Sequence, residues 1–152
     1  MADRVGTNGT DSLYGSASND SLYGRDGNDA LDGGAGNDNL SGGDGSDSII
    51  GGLGDDSITG GSGNDIILAG DGDDQINYVD DSGDDTVYGG KGNDLINCSD
   101  LIGKKMMLGD SGNDTLYGGA DADCISGGTD NDTIYGNFWS NTLDRRVHFF
   151  GK

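Results

Sequence analysis

A chain of 152 residues with 31% hydrophobic content, 32 glycines, no proline and a formal net charge of −20 has too little apolar material to close a conventional globular core by itself. Eight Lys and Arg residues against 28 acidic ones exclude a basic surface for nucleic acid or an anionic membrane, and no apolar run reaches the length of a membrane span. All 28 acidic residues are Asp, a bias that favours short, geometrically fixed carboxylates over a generally solvated acidic surface.

In chain order the sequence opens with GTNGTDSLY and GSASNDSLY, two nine-residue units that share Asp and Leu at their sixth and eighth positions. GRDGNDALD follows, then GGAGNDNLS, GGDGSDSII, GGLGDDSIT, GGSGNDIIL and AGDGDDQIN, with no residue between units. The common pattern is G-G-x-G-x-D-x-U-x, where U is aliphatic. Two units are each longer by two residues, YVDDSGDDTVY (78–88) and CSDLIGKKMML (98–108), and GGKGNDLIN separates them. GDSGNDTLY restores the pattern, GGADADCIS and GGTDNDTIY carry Asp121 and Asp130 where the fourth glycine belongs, and GNFWSNTLD ends the series. About fifteen units therefore fill residues 1–144, and RRVHFFGK (145–152) departs from the pattern.

The eighth position is apolar in every unit: Leu13, Leu22, Leu31, Leu40, Ile49, Ile58, Ile67, Ile76, Val87, Ile96, Met107, Leu116, Ile125, Ile134 and Leu143. Such a ladder predicts the inner stripe of a solenoid, each side chain stacked on its equivalent one coil away. Phe138, Trp139, Val147, Phe149 and Phe150 are expected to cap the open end, because a solenoid's terminal unit must cover what the next coil would have buried.

The sixth position is Asp at Asp11, Asp20, Asp29, Asp38, Asp47, Asp56, Asp65, Asp74, Asp85, Asp94, Asp114, Asp123 and Asp132. Glycines at the first, second and fourth positions, among them Gly33, Gly42, Gly51 and Gly60 at the first and Gly36, Gly45, Gly54, Gly63, Gly72, Gly92 and Gly112 at the fourth, are expected to allow positive φ and close approach between turns. A tight turn of this kind aims carbonyl oxygens inward and ends in a carboxylate. That donor set suits Ca2+, a hard cation that takes about six to eight oxygens at roughly 2.3–2.6 Å. These Asp and Gly residues are the candidate metal ligands and turn formers.

The repeated GGxGxDxUx units resemble the RTX (repeats-in-toxin) family of secreted bacterial proteins. The resemblance implies an all-β fold, a right-handed parallel β-roll or β-solenoid with two nonapeptides per coil and calcium-filled turns on both sides. In that family the glycine-rich six residues form the turn and the other three a short strand. It also implies a secreted, extracellular protein exported in one step by a C-terminal signal, and a passenger domain carried by the roll.

With alternate units on alternate sides, one column of sixth positions runs Asp20, Asp38, Asp56, Asp74, Asp94, Asp114, Asp132 and the other Asp11, Asp29, Asp47, Asp65, Asp85. Sharing one ion per gap gives roughly ten calcium ions. The second column breaks at the long basic unit, where alignment through Gly103 puts Lys105 in place of Asp. Its ammonium is expected to stand in for calcium, within salt-bridge reach of Asp85 or Asp123, while Lys104 faces solvent.

The leading function is a non-enzymatic, calcium-induced folding module, expected to be a monomer. The single imidazole is His148, and the chain has no Glu, no HExxH and no GxSxG, so an enzyme is not expected. Two alternatives stay open. A carbohydrate-binding module for anionic, alginate-type polysaccharide would use outward Tyr14, Tyr23, Tyr88, Tyr117 and Tyr135 with Lys91, Lys104, Lys105, Arg145 and Arg146. An ice-binding solenoid would need ordered Thr and Asn rows.

Overall fold

The structure is a computed structural model that describes residues 3–77, 83–98, 103–119, 121–136, 142–143 and 147–149. Its elements are all strands. They run β1 (Asp3–Val5), β2 (Ser12–Ser16), β3 (Ser21–Asp26), β4 (Ala30–Ala35), β5 (Asn39–Asp44), β6 (Ser48–Leu53), β7 (Ser57–Ser62) and β8 (Ile66–Asp71). β9 (Gln75–Asn77), β10 (Asp85–Lys91), β11 (Leu95–Asn97), β12 (Lys105–Ser111), β13 (Thr115–Tyr117), β14 (Cys124–Ser126), β15 (Asp132–Tyr135), β16 (Thr142–Leu143) and β17 (Val147–Phe149) follow.

Odd-numbered strands form one parallel sheet of nine, and even-numbered strands a parallel sheet of eight. Each strand pairs with the strand two along the chain, as in Leu31↔Ile49 between β4 and β6 and Leu40↔Ile58 between β5 and β7. Two units therefore make one coil, and the coils stack into a β-solenoid of about seven turns, the β-roll implied by the resemblance. Across the long units the register advances by 20 residues instead of 18, as in Ile67↔Val87 and Val87↔Met107. Both strands around each long unit keep their place. Residues 78–82 and 99–102 lie outside the described residues.

The core is one residue wide. Eighth-position side chains from Leu22 to Ile134 are buried between the sheets, joined by Ala69 and Cys98, with Leu13 partly buried at the first coil. Neighbours at the seventh and ninth positions point outward, the two-residue alternation of a half-buried strand. Strands β2 to β8, β10, β12 and β15 are longer than three residues. β3 to β8 run from the seventh position through the third position of the next unit, because a Gly-Gly pair continues the backbone ladder without needing a side chain to pack. Only positions four to six turn.

The glycines divide by role. Second- and fourth-position glycines such as Gly34 (φ 97°), Gly43 (φ 115°), Gly45 (φ 130°) and Gly54 (φ 113°) take positive φ. First-position Gly33, Gly42, Gly51 and Gly60 do not, which corrects the expectation that all three positions need it. Their requirement is space: a Cβ on Gly42 would meet the Asp47 Oδ2 at 2.2 Å and the Gly60 carbonyl oxygen at 2.5 Å.

Of the two aspartates replacing a fourth glycine, Asp130 adopts positive φ (79°). Two second-position residues, Arg25 (φ 87°) and Asp110 (φ 74°), do so without being glycine. A left-handed non-glycine costs roughly 1–2 kcal/mol, and glycine returns about 0.5–1 kcal/mol of that to the unfolded chain. Arg25→Gly is therefore expected to stabilise the roll by about 0.5–1 kcal/mol, read as a lower calcium midpoint for folding. A higher midpoint would show that the Arg25 side chain does more than its backbone loses.

The expected aromatic cap of Phe138, Trp139 and Phe150 lies outside the described residues. At this end β17 pairs with β15 through Asp132↔Val147, so the tail extends the first sheet by one strand.

Candidate metal centres

Each turn ends at its sixth position, and the structure brings these residues into two stacked columns as the period implies. In the even column the backbone N–H of Asp20 donates to Asp38 Oδ1 (2.7 Å), Asp38 to Asp56 (2.8 Å), Asp56 to Asp74 (2.8 Å), Asp74 to Asp94 (2.9 Å), Asp94 to Asp114 (2.8 Å) and Asp114 to Asp132 (3.0 Å). In the odd column Asp11, Asp29, Asp47 and Asp65 donate in the same way to Asp29, Asp47, Asp65 and Asp85, each at 2.8 Å. One carboxylate oxygen of each Asp is thereby spent on holding the next coil in register.

The other oxygen is the informative one. Asp29, Asp38, Asp47, Asp56, Asp74, Asp94, Asp114 and Asp132 are all buried, and the Oδ2 of each lacks any hydrogen-bond donor among the described residues. A buried ionised oxygen without a partner is strongly unfavourable. A row of them, one per coil on each side, fits a row of cations.

Backbone carbonyls complete the donor set. Those of the second and fourth positions point along the column: a Cβ on Gly43 would meet the Arg25 carbonyl oxygen at 1.9 Å, and one on Gly45 the Gly27 carbonyl oxygen at 2.0 Å. Among the described residues no three His, Cys, Asp or Glu side chains converge on one point. The donors are instead one carboxylate per turn with main-chain oxygens, a set suited to a hard cation of high coordination number.

Without a cation, burial sets the protonation of these groups. Desolvation, reinforced by neighbouring aspartates and opposed by the backbone hydrogen bond, pushes Asp56 and Asp94 up to about 7 and Asp74 and Asp114 up to about 6. Burial likewise raises Asp38, Asp47 and Asp123 above the ordinary carboxylate range. A divalent ion held at Oδ2 would offset this rise by favouring the ionised carboxylate.

Two first-coil carboxylates are satisfied differently. Thr7 occupies the second position of its unit, and its N–H (2.6 Å) and hydroxyl (2.9 Å) both donate to Asp11 Oδ2. Ser16, at the same position one unit on, donates its hydroxyl to Asp20 Oδ2 (2.7 Å). The loss of the second glycine in these units coincides with an internal donor for the Asp that follows.

Sequence reasoning missed the fifth position. Its Asn or Asp side chain accepts from the fifth-position N–H of the next coil: Asp55 to Asn37 (3.3 Å), Asp73 to Asp55 (3.0 Å), Asn93 to Asp73 (2.7 Å) and Asn113 to Asn93 (3.0 Å). This exposed ladder runs opposite to the buried one, so each interval is tied from both directions. The Asn or Asp at position five in ten of the fifteen units was the available signal.

The outward tyrosines do not form one platform. Tyr23, Tyr117 and Tyr135 lie on the nine-stranded sheet, Tyr14 and Tyr88 on the other, and Tyr117 and Tyr135 stack on each other at 4.5 Å. Of the basic candidates, Lys91 pairs with Asp71 at 2.7 Å, Lys105 is buried and Lys104 is exposed. Arg145 and Arg146 lie outside the described residues.

A parallel solenoid whose turns carry buried carboxylates in register, with carbonyls stacked beside them, defines a metal-binding repeat domain. The family model of the RTX calcium-binding nonapeptide repeat matches in four copies, over residues 5–40, 41–76, 78–97 and 107–138, and the chain belongs to that family. It is a calcium-binding module. The comparison with curated proteins gave no match.

Proposed function

We propose that the chain is a non-enzymatic module that folds when calcium binds, with the sixth-position aspartates as ligands and about ten ions shared between coils, six gaps in the even column and four in the odd. The row of buried Oδ2 atoms carries this reading. Placing those charges together without a counter-ion opposes folding, and an unfolded chain holds no preformed site, so the free energy of metal binding becomes free energy of folding. The glycine-rich, highly charged composition favours disorder in the metal-free state. Extracellular modules of this type bind calcium at about 10⁻⁴–10⁻³ M, which places the transition between intracellular and extracellular calcium levels. The proposed setting is a secreted protein in which the slack chain is exported, folds outside and supports a passenger domain.

Far-UV circular dichroism across a calcium titration, with magnesium as control, tests the coupling. Strand signal should grow cooperatively with calcium, and magnesium, which demands a tighter octahedral shell, should not replace it. A spectrum already fully β in excess chelator overturns the proposal.

A further inference from the structure

Lys105 is the one cation at a sixth position, and its ammonium is buried as deeply as the leucines of the core. Its main chain behaves like an aspartate's: Lys105 pairs with Asp85 across β10 and β12, and its N–H donates to Asp123 Oδ1 at 2.9 Å. The side chain turns back into the preceding coil instead of continuing the column. Nζ donates to the Gly83 carbonyl oxygen and lies 2.5 Å from Asp85 Oδ2, with both side chains fully buried. The N–H of Asp85, deprived of a carboxylate one coil on, donates instead to the Lys104 carbonyl at 3.1 Å. A cation thus touches one carboxylate oxygen and one turn carbonyl in the Asp85 turn, the two donor types available to calcium in the other turns.

We propose that the Lys105 ammonium is a tethered cation that occupies one position of the odd column, so that the gap between the Asp85 and Lys105 turns closes on the ammonium without a calcium ion. The inference rests on the calcium reading of the other turns. An ammonium carries one positive charge and three donors, enough to neutralise one carboxylate and satisfy a carbonyl, and it adds no ion to the stoichiometry. The calcium-dependent stretch of the odd column consequently ends at a coil whose cation is always present. Asp85 and Lys105 belong to the two long units, and a covalent cation holds their turns together whatever the calcium concentration.

The test counts ions. The wild-type chain and Lys105→Asp are equilibrated with saturating calcium, and bound calcium per chain is measured by atomic emission after dialysis. Lys105→Asp, which would border a gap to Asp85 and a gap to Asp123, should bind one to two more calcium ions per chain. Lys105→Met, which keeps the stem and removes the charge, should bind no more than wild type and need several-fold more calcium to reach half-maximal strand signal. An unchanged ion count in a folded Lys105→Asp chain overturns the inference. Should that variant not fold, anomalous X-ray scattering from wild-type crystals grown in calcium decides: ions in other turns and none between Asp85 and Lys105 support it, and an ion there overturns it. A wild-type chain that binds no calcium in any turn overturns the calcium reading and this inference with it, whereas an ion between the Asp85 and Lys105 turns overturns this inference alone.

Discussion

Asp56→Asn should raise several-fold the calcium needed to fold the roll. Asp56 sits in the middle of the even column, where its Oδ1 accepts from Asp38 and its N–H donates to Asp74, both at 2.8 Å. Asparagine keeps an oxygen for the register bond and removes the charge at Oδ2, so the loss falls on the cation. Each mid-column Asp borders two gaps, and two ions are weakened together. With calcium at about 10–100 times its Kd, one site stabilises the folded chain by roughly 1.4–2.7 kcal/mol, so two account for about 3–5 kcal/mol. The expected result is a calcium titration in which half-maximal strand signal moves several-fold higher and bound calcium falls by one to two per chain. Asp132→Asn, at the end of the same column, should cost about half as much. Equal effects at the two positions, or none at Asp56, would show that ions are not shared between neighbouring coils.

The second large effect is a reversal of pH dependence by calcium. In chelator, the folded-state values of Asp56 and Asp94 (about 7) and of Asp74 and Asp114 (about 6) lie above the ordinary value of 3.8. A raised folded-state pKa means that the folded chain holds protons more tightly than the unfolded one. The stabilising contribution is complete below about pH 4 and is lost as pH rises through about 6 to 7. Metal-free chain should therefore gain strand signal on acidification. With calcium the order inverts, because the ion and the proton compete for the same Oδ2, and more calcium should be needed as pH falls from about 7 to 5. Circular dichroism at fixed calcium and in chelator, over the same pH series, reads both arms. Parallel trends in the two conditions would refute the competition.

The period made most of this legible. Nine residues with one Asp and one aliphatic, repeated without slippage, fix which side chains stack, and the buried stripe from Leu22 to Ile134 follows the eighth position without exception among the described units. Lys105 was legible for the same reason: alignment through Gly103 placed a cation among carboxylates, and its contact with Asp85 follows from the register. The features that escaped depend on what lies one coil away and not on the unit itself. Asn93 looks like any turn residue until the Asn113 N–H is set beside it. Arg25 and Asp110 look like tolerated substitutions until the backbone shows that they inherit the glycine's left-handed conformation. Strand length was underestimated because Gly-Gly reads as a turn signal, whereas stacked neighbours let it continue the ladder.

Alternate units feed opposite sheets, and this sets an arithmetic for change in the chain's length. Removing nine residues would send every downstream strand to the other sheet and exchange the two columns, setting Lys105 among the ligands of the even side. Removing 18 residues, the spacing between Leu31 and Ile49, takes out one coil and lets the cut ends meet in register. The natural step for shortening or lengthening this protein is thus a pair of units. The long units obey the same bookkeeping: their extra residues lie between strands, so the chain grows by two residues at a time without changing sides.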